Sequence, residues 1–154
     1  MAFFDWDDRY SVGVAQIDAQ HRRLIEMINC LYEGMQRRGG ADALAAALDE
    51  MTTLAVVIEE LIAYCMYHFS TEESLMSRYA YPDSPSHRDA HAELTDRVHT
   101  FQRDFDAGKA VSSADLAQAL QAWLTDHILH TDMQLGRFLT EKGVCSTARA
   151  ERAA

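Results

Sequence analysis

Apolar residues recur at every third or fourth position along most of the chain, and the alternation typical of strands is almost absent. This spacing predicts amphipathic helices. The first helix is predicted to begin at Asp18, a residue type that caps helix N-termini, and to end at the glycine pair 39–40. An aromatic-rich arm of irregular structure precedes this helix.

Three further helices are predicted from the same spacing and from the turn residues between them. Their limits are, in chain order, from after the glycine pair to Tyr81-Pro82, from Ser84-Pro85 to Asp106-Ala107-Gly108, and from Ser112 or Ser113 to about Lys142-Gly143. Four helices with short connections predict an all-α, up-down-up-down four-helix bundle. We expect one domain over residues 1–143 and a frayed, small and polar tail over residues 144–154.

Two pairs of potential metal ligands lie four residues apart, His68 with Glu72 and His87 with His91. Side chains at this spacing lie one turn above each other on a helix. Either pair alone is commonly a surface contact or a coincidence. However, His68 and Glu72 continue the apolar series that passes through Leu61, so they should face the core. A buried glutamate needs a compensating charge, and a metal cation surrounded by imidazoles would supply it.

The heights of the histidines in the bundle test this interpretation, because ligands must lie at one level. His91 and His127 lie about 26 and 21 Å from the turn between their helices, so they are predicted to meet. His21 and His68 lie about 26 and 40 Å from the first turn, a mismatch of roughly ten residues. The mismatch disappears if residues 42–51 form a separate short helix or an overhang, and we predict a break in the helix directly after them.

Charge and cysteine content limit the partners and the location. The chain has 14 basic and 24 acidic residues, a net charge of −10 with no basic stripe, so neither nucleic acid nor anionic lipid is an expected partner. No apolar stretch approaches the ~20 residues of a membrane helix, and the acidic N-terminus does not resemble a secretory signal. Three widely spaced cysteines predict reduced thiols in the cytoplasm. The acidic surface favours a monomer.

The sequence resembles the bacterial hemerythrins, which are single-domain, non-haem di-iron proteins that bind dioxygen. The resemblance covers nearly all of the chain. It rests on Trp6 with Val12-Gly13-Val14 and Ile17-Asp18-Ala19-Gln20-His21; on Tyr64-x-x-x-His68-Phe69 with Glu72-Glu73; on Tyr81-Pro82 with His87-x-x-x-His91; and on Trp123-x-x-x-His127-Ile128-x-x-x-Asp132.

The resemblance implies two iron ions joined by an oxo or hydroxo bridge, with dioxygen as their ligand. Five histidines and two carboxylates would hold the irons. One iron would take His87, His91 and His127, the other would take His21 and His68, and Glu72 and Asp132 would bridge the two. The implied function is reversible dioxygen binding for transport, storage or delivery, without catalysis.

Ligand chemistry alone leaves the metal and the function open. Five imidazoles and two carboxylates suit mid-row transition metals better than calcium or magnesium. Zinc and copper would bind such a set at least as tightly as iron, so iron is implied by the resemblance. Two alternatives to a carrier are an enzyme that reduces peroxide, nitric oxide or oxygen, and an oxygen or iron sensor. The expected protein partner is an oxygen-consuming enzyme or a reductase.

The spacing of His127 and Asp132 does not fit an ideal helix. Residues five apart point about 140° away from each other, whereas the rival pair Asp126 and His130, four apart, would share a face. The resemblance specifies His127 and Asp132. A local distortion of the helix would bring the two side chains together.

Other residues close to the predicted ligands are assigned simpler roles. Glu73 is predicted to face solvent, and His99 and His130 to lie outside the site. Trp123 and Tyr64 precede ligands by one turn and fit either core packing or a hydrogen bond to a ligand. The apolar residues predicted to fill the core and exclude water from the site are Leu24, Ile25, Leu61, Cys65, Phe69 and Ile128.

Overall fold

The computed structural model describes residues 2–33 and 43–144. Its elements are a short 3₁₀-helix (Asp8–Tyr10), α1 (Ala15–Glu33), α2 (Ala43–Arg78), α3 (Ser84–Asp106), α4 (Ser113–Asp126), a π-helical turn (His127–Asp132) and α5 (Met133–Glu141). The last three elements follow one another without a gap and form the fourth helix of a four-helix bundle. The described residues contain no strand, and the predicted all-α bundle is confirmed. Among these helices, none combines the length and apolar character that crossing a bilayer requires.

The predicted break after residues 42–51 is wrong. α2 is a single helix of 36 residues, about 54 Å long. Its alanine- and leucine-rich beginning propagates a helix well, and no glycine or proline interrupts it. The ring of His21 still lies 4.8 Å from that of His68, centroid to centroid. The additional residues at the start of the second helix are therefore part of a continuous α2, and His21 still lies beside His68.

Asp18 does not cap α1, which begins three residues earlier, at Ala15. The Asp18 carboxylate instead accepts hydrogen bonds from the Ser11 hydroxyl at 2.6 Å and from the Val12 backbone N–H at 2.8 Å. The side chain is buried. Asp18 therefore fastens the N-terminal arm to the first turn of α1, and the prediction that it starts the helix is corrected.

α2 ends at Arg78, three residues before the predicted Tyr81-Pro82, whereas the limits of α3 and the start of α4 agree with the sequence. α3 begins at Ser84 with Pro85 in its first turn, and it ends at Asp106. Ser112 caps α4, because its hydroxyl accepts a hydrogen bond from the Asp115 backbone N–H at 3.2 Å. The predicted end of the first helix at the glycine pair and residues 145–154 of the predicted tail lie outside the described residues. Val144, predicted to be the first residue of the frayed tail, instead donates its backbone N–H to the Leu139 carbonyl at 2.9 Å and packs against the core.

The N-terminal arm is part of the core. Phe4, Tyr10, Val12 and Val14 are all buried. The Asn29 side chain on α1 bonds both backbone groups of Phe4, donating to the carbonyl and accepting from the N–H at 2.8 Å each. The arm is therefore held by paired polar groups as well as by apolar burial.

Gly136 of α5 lies where the arm crosses the fourth helix. A Cβ atom at this position would fall 2.2 Å from the Val12 carbonyl oxygen and 2.8 Å from the Val12 Cβ atom. We expect Gly136→Ala to lower the free energy of unfolding by about 1–3 kcal/mol, because the arm must move away. Urea unfolding followed by circular dichroism measures this effect. Gln134→Ala, at an exposed position two residues earlier, should change stability by less than about 0.5 kcal/mol. Equal effects of the two variants would contradict the prediction.

Candidate metal centre

Seven side chains from the four helices of the bundle converge on one buried site. None is more than 4% exposed. They are His21 from α1, His68 and Glu72 from α2, His87 and His91 from α3, and His127 and Asp132 from the π-helical turn. These are the residues predicted as ligands, and the structure brings all of them together.

The seven side chains form two groups that have both carboxylates in common. Glu72 and Asp132 stand with His87, His91 and His127 in one group, and with His21 and His68 in the other. We call these the three-histidine group and the two-histidine group. Within each group, one potential ligand atom per residue lies within 4.8 Å of every other. Each group is therefore small enough to surround a single cation.

Asp132 faces both groups at once. Its Oδ1 atom lies 3.1 Å from His87 Nε2 and 3.0 Å from His127 Nε2, in the three-histidine group. Its Oδ2 atom lies 3.1 Å from His21 Nε2, in the two-histidine group. The two oxygens of one carboxylate are thus divided between the groups.

Glu72 is divided in the same way. Its Oε2 atom lies 3.2 Å from His87 Nε2 and 3.1 Å from His91 Nε2. Its Oε1 atom lies 3.7 Å from His68 Nε2. Two carboxylates that each offer one oxygen to either side have the arrangement required to bridge two cations.

Several polar atoms in this site are buried without a hydrogen bond to any described residue. They are Nε2 of His21, His68, His91 and His127, Oε1 of Glu72, and both carboxylate oxygens of Asp132. Leaving one buried polar atom unpaired costs about 1–3 kcal/mol. A hydrogen-bonded core would not leave so many atoms unpaired, whereas metal cations would satisfy them, so the residues present fit a metal site.

The electrostatics of the site call for positive charge. Burial raises the pKa of a carboxyl group, but the imidazoles around Glu72, His68 foremost, overcome burial and lower its pKa to about 2. At Asp132, His127 has the largest opposing effect and holds the pKa well below its usual value. Burial lowers the pKa of His68 to about 4, which leaves its imidazole neutral and able to ligate. Burial lowers the pKa of His87, but the carboxylates of Asp132 and Glu72, which lie 3.1 and 3.2 Å from its Nε2 atom, overcome burial and raise the pKa to about 9. A proton on His87, or a metal cation, can balance the carboxylates.

The π-helical turn explains how His127 and Asp132 reach the same site. Backbone hydrogen bonds in a π-helix join residues five apart, so side chains at this spacing share a face. The rival pair lies on the surface, where His130 and Asp126 are 72% and 79% exposed and 3.0 Å apart. The predicted local distortion of the helix at His127 and Asp132 is confirmed. The rival pair, Asp126 and His130, lies outside the site.

Comparison with known proteins assigns this arrangement to a family. Residues 12–139 match the model of the hemerythrin HHE cation binding domain. The chain belongs to the hemerythrin family. Its seven clustered residues are compatible with the non-haem di-iron site of a hemerythrin domain.

Similar proteins are found among bacterial hemerythrins and among solved structures. The chain is 36% identical over 132 residues to the bacteriohemerythrin of Pseudomonas aeruginosa strain LESB58. The aligned residues cover 86% of this chain and 78% of the relative. The chain is 37% identical over 135 residues to the bacteriohemerythrin of Stenotrophomonas maltophilia strain R551-3, with the same coverage. A crystal structure of wild-type hemerythrin matches with a TM-score of 0.77 at 26% identity, covering 90% of this chain and 98% of that one.

Two polar residues behind the candidate ligands were not predicted from the sequence. His68 Nδ1–H donates to Gln20 Oε1 at 2.9 Å, and His91 Nδ1–H donates to Glu73 Oε1 at 3.2 Å. Both oxygens only accept, so Nδ1 carries the proton and the Nε2 lone pair faces the site. The prediction that Glu73 only faces solvent is wrong. Its position beside Glu72 in the sequence is the sole signal, because the contact crosses from α2 to α3.

Aromatic rings pack against two of the ligands. Phe69 stacks on His91 with ring centroids 3.9 Å apart, and Trp123 stacks on His127 at 4.3 Å. Trp123 therefore packs against a ligand, whereas Tyr64 lies beside Tyr67. All six apolar residues predicted to fill the core are buried. His99, like His130, is exposed.

Proposed function

We propose that the seven residues hold two iron ions and that this centre binds dioxygen reversibly for transport, storage or delivery. The observation that carries the proposal is the division of each carboxylate, Glu72 and Asp132, between a three-histidine group and a two-histidine group. The names of the bacterial relatives, bacteriohemerythrin, support it. The function proposed is binding and not catalysis.

The unequal groups suggest where dioxygen would be accommodated. His87, His91 and His127 would hold one iron, and His21 and His68 would hold the other, with Glu72, Asp132 and an oxo or hydroxo group as bridges. The second iron would have one protein ligand fewer, and this difference would leave a position for dioxygen. Iron is proposed on the basis of family membership, because zinc and copper would suit these donors equally well.

The chain itself orients the donors and excludes water. Bound iron would supply reversible coordination of dioxygen and the electrons for it. Gln20 and Glu73 hold the imidazoles of His68 and His91 with Nε2 toward the site, so these ligands need little reorganisation. Burial raises the pKa of the Cys65 thiol to about 12, so it stays neutral and is not a competing thiolate ligand.

The proposal includes a cytoplasmic monomer that passes dioxygen to an oxygen-consuming enzyme or receives electrons from a reductase. Cys30 and Cys65 are free thiols, which a reducing compartment would preserve. The net charge of −10 opposes self-association and binding to nucleic acid or to anionic membrane surfaces.

Spectroscopy through cycles of oxygenation tests the proposal. The protein is loaded with iron and reduced without oxygen, and its visible spectrum is recorded as oxygen is admitted and withdrawn. We expect two irons per chain and a charge-transfer band that appears and fades over repeated cycles. Irreversible oxidation at the first exposure, or turnover with peroxide or nitric oxide, would favour a di-iron enzyme. A chain that binds no iron would overturn the metal assignment.

A further inference from the structure

Two ligand histidines are backed by side chains of different charge. Behind His68, in the two-histidine group, lies the neutral amide of Gln20 at 2.9 Å. Behind His91, in the three-histidine group, lies the carboxylate of Glu73 at 3.2 Å. The Nδ1 atom of His21 is buried without a hydrogen-bond partner in the described part of the chain, as is that of His87. The hydrogen-bond acceptor behind a histidine is therefore a neutral amide in the two-histidine group and a carboxylate in the three-histidine group.

The Glu73 contact acts on an imidazole that has little freedom to turn. The ring of Phe69 lies against that of His91 at 3.9 Å and within 11° of parallel. On the far edge of the imidazole, His91 Nε2 lies 3.1 Å from Glu72 Oε2. Glu73 thus accepts a hydrogen bond from Nδ1 of His91, while Nε2 of the same ring faces the site.

The carboxylate of Glu73 is accessible to water and weakly paired. Its side chain is 34% exposed, and Oε2 lies 3.8 Å from Arg88 Nε. Arg88 also donates from Nη2 to the Ser77 hydroxyl at 2.9 Å, so the guanidinium is shared. The negative charge of Glu73 is therefore not cancelled by a close bidentate partner.

We infer that Glu73 is a positioning residue that makes the metal ion of the three-histidine group the more tightly bound and the more easily oxidised of the two. A carboxylate behind an imidazole draws the Nδ1 proton toward itself and makes Nε2 a stronger donor, which a neutral amide does less. The inference rests on the proposed metal function. The chain would thereby direct its stronger imidazole donor to the ion with more protein ligands, and its weaker one to the ion with the open position.

Glu73→Gln tests the charge separately from the hydrogen bond, because glutamine keeps an oxygen acceptor at the same reach. The metal-free protein is titrated with Co²⁺, followed by visible absorption, and the one-electron reduction potential of the iron-loaded protein is measured. We expect the affinity for one of the two Co²⁺ ions to fall about tenfold. We expect the potential to rise by about 59 mV, the equivalent of a tenfold change in relative affinity for ferric and ferrous iron.

Glu93→Gln is the matched control. Glu93 lies on α3 two residues from His91, is exposed and pairs with Arg97 at 2.6 Å, so the variant removes the same charge without touching a ligand. The reverse variant Gln20→Glu should lower the potential, and circular dichroism checks that each variant is folded. Equal affinities and potentials in Glu73→Gln and Glu93→Gln would overturn the inference and leave the proposed function standing. A wild-type chain that fails to bind two ions would overturn the proposed function itself.

Discussion

Replacement of Asp132 by alanine should abolish the binding of a metal pair. Asp132 is fully buried, and its two oxygens lie 3.0 Å from His127 Nε2 and 3.1 Å from His21 Nε2, on opposite sides of the site. Loss of a partner behind a ligand already costs 10–100-fold in metal affinity, so loss of a bridging ligand should cost more than about 100-fold. Iron per chain after reconstitution and dialysis measures the effect.

Asp126→Ala is the matched control for this prediction. The two aspartates lie six positions apart in the fourth helix, but Asp126 is 79% exposed, and its carboxylate pairs with the exposed His130 at 3.0 Å. Asp126→Ala should therefore retain two irons per chain. Asp132→Asn keeps the shape of the side chain and removes its charge, and it should also lose the metal pair. Loss of iron in Asp126→Ala with retention in Asp132→Ala would overturn the assignment.

Removal of metal from the wild-type protein should lower its melting temperature by about 8–16 °C. Metal at a thousandfold excess over its dissociation constant stabilises the folded state by about 4 kcal/mol. Each kcal/mol shifts the melting temperature by about 2–4 °C in a chain of this size. The loss has a structural origin, because the buried Glu72 and Asp132 then face imidazoles with unpaired nitrogens. Thermal unfolding before and after chelation, followed by re-addition of metal, measures the shift.

The two aspartate variants also separate site binding from unspecific effects of the chelator. Asp126→Ala should show the full shift on metal removal, since its site is intact. Asp132→Ala should melt at nearly the same temperature with and without metal, because it cannot hold the pair. A wild-type protein that melts at one temperature in both conditions would contradict the prediction.

Local spacing placed four of the seven residues of the candidate site in two pairs, each on one helix face. His68 with Glu72, and His87 with His91, lie four residues apart, and the helical repeat places each pair on one face whatever surrounds it. The cap at Ser112 is equally local, because its partner is a backbone N–H three residues away. The common level of His91 and His127, whose rings lie 5.1 Å apart, followed from helix rise and a short turn.

Features that depend on packing between elements were not predictable in this way. A break in α2 was predicted because His21 and His68 lie at unequal distances along the chain from the turn of the first hairpin. The structure shows instead that α2 continues without interruption. Asp18 has the residue type of a helix cap, but its partners Ser11 and Val12 belong to the arm. The local spacing of His127 and Asp132 even argued against a shared face, until the π-helical turn reversed it.

The sequence by itself predicted the all-α bundle from its spacing and, through its resemblance to the hemerythrins, the seven residues of the candidate site and the donor chemistry they offer. Only the tertiary structure decided that Glu72 and Asp132 divide their oxygens between two groups of imidazoles, and that Gln20 and Glu73 support different groups. The physical reason is the range of the interactions. A helix repeats one backbone hydrogen bond, so its faces follow from spacing, whereas contacts between helices depend on their relative height and rotation, which packing of the whole core sets.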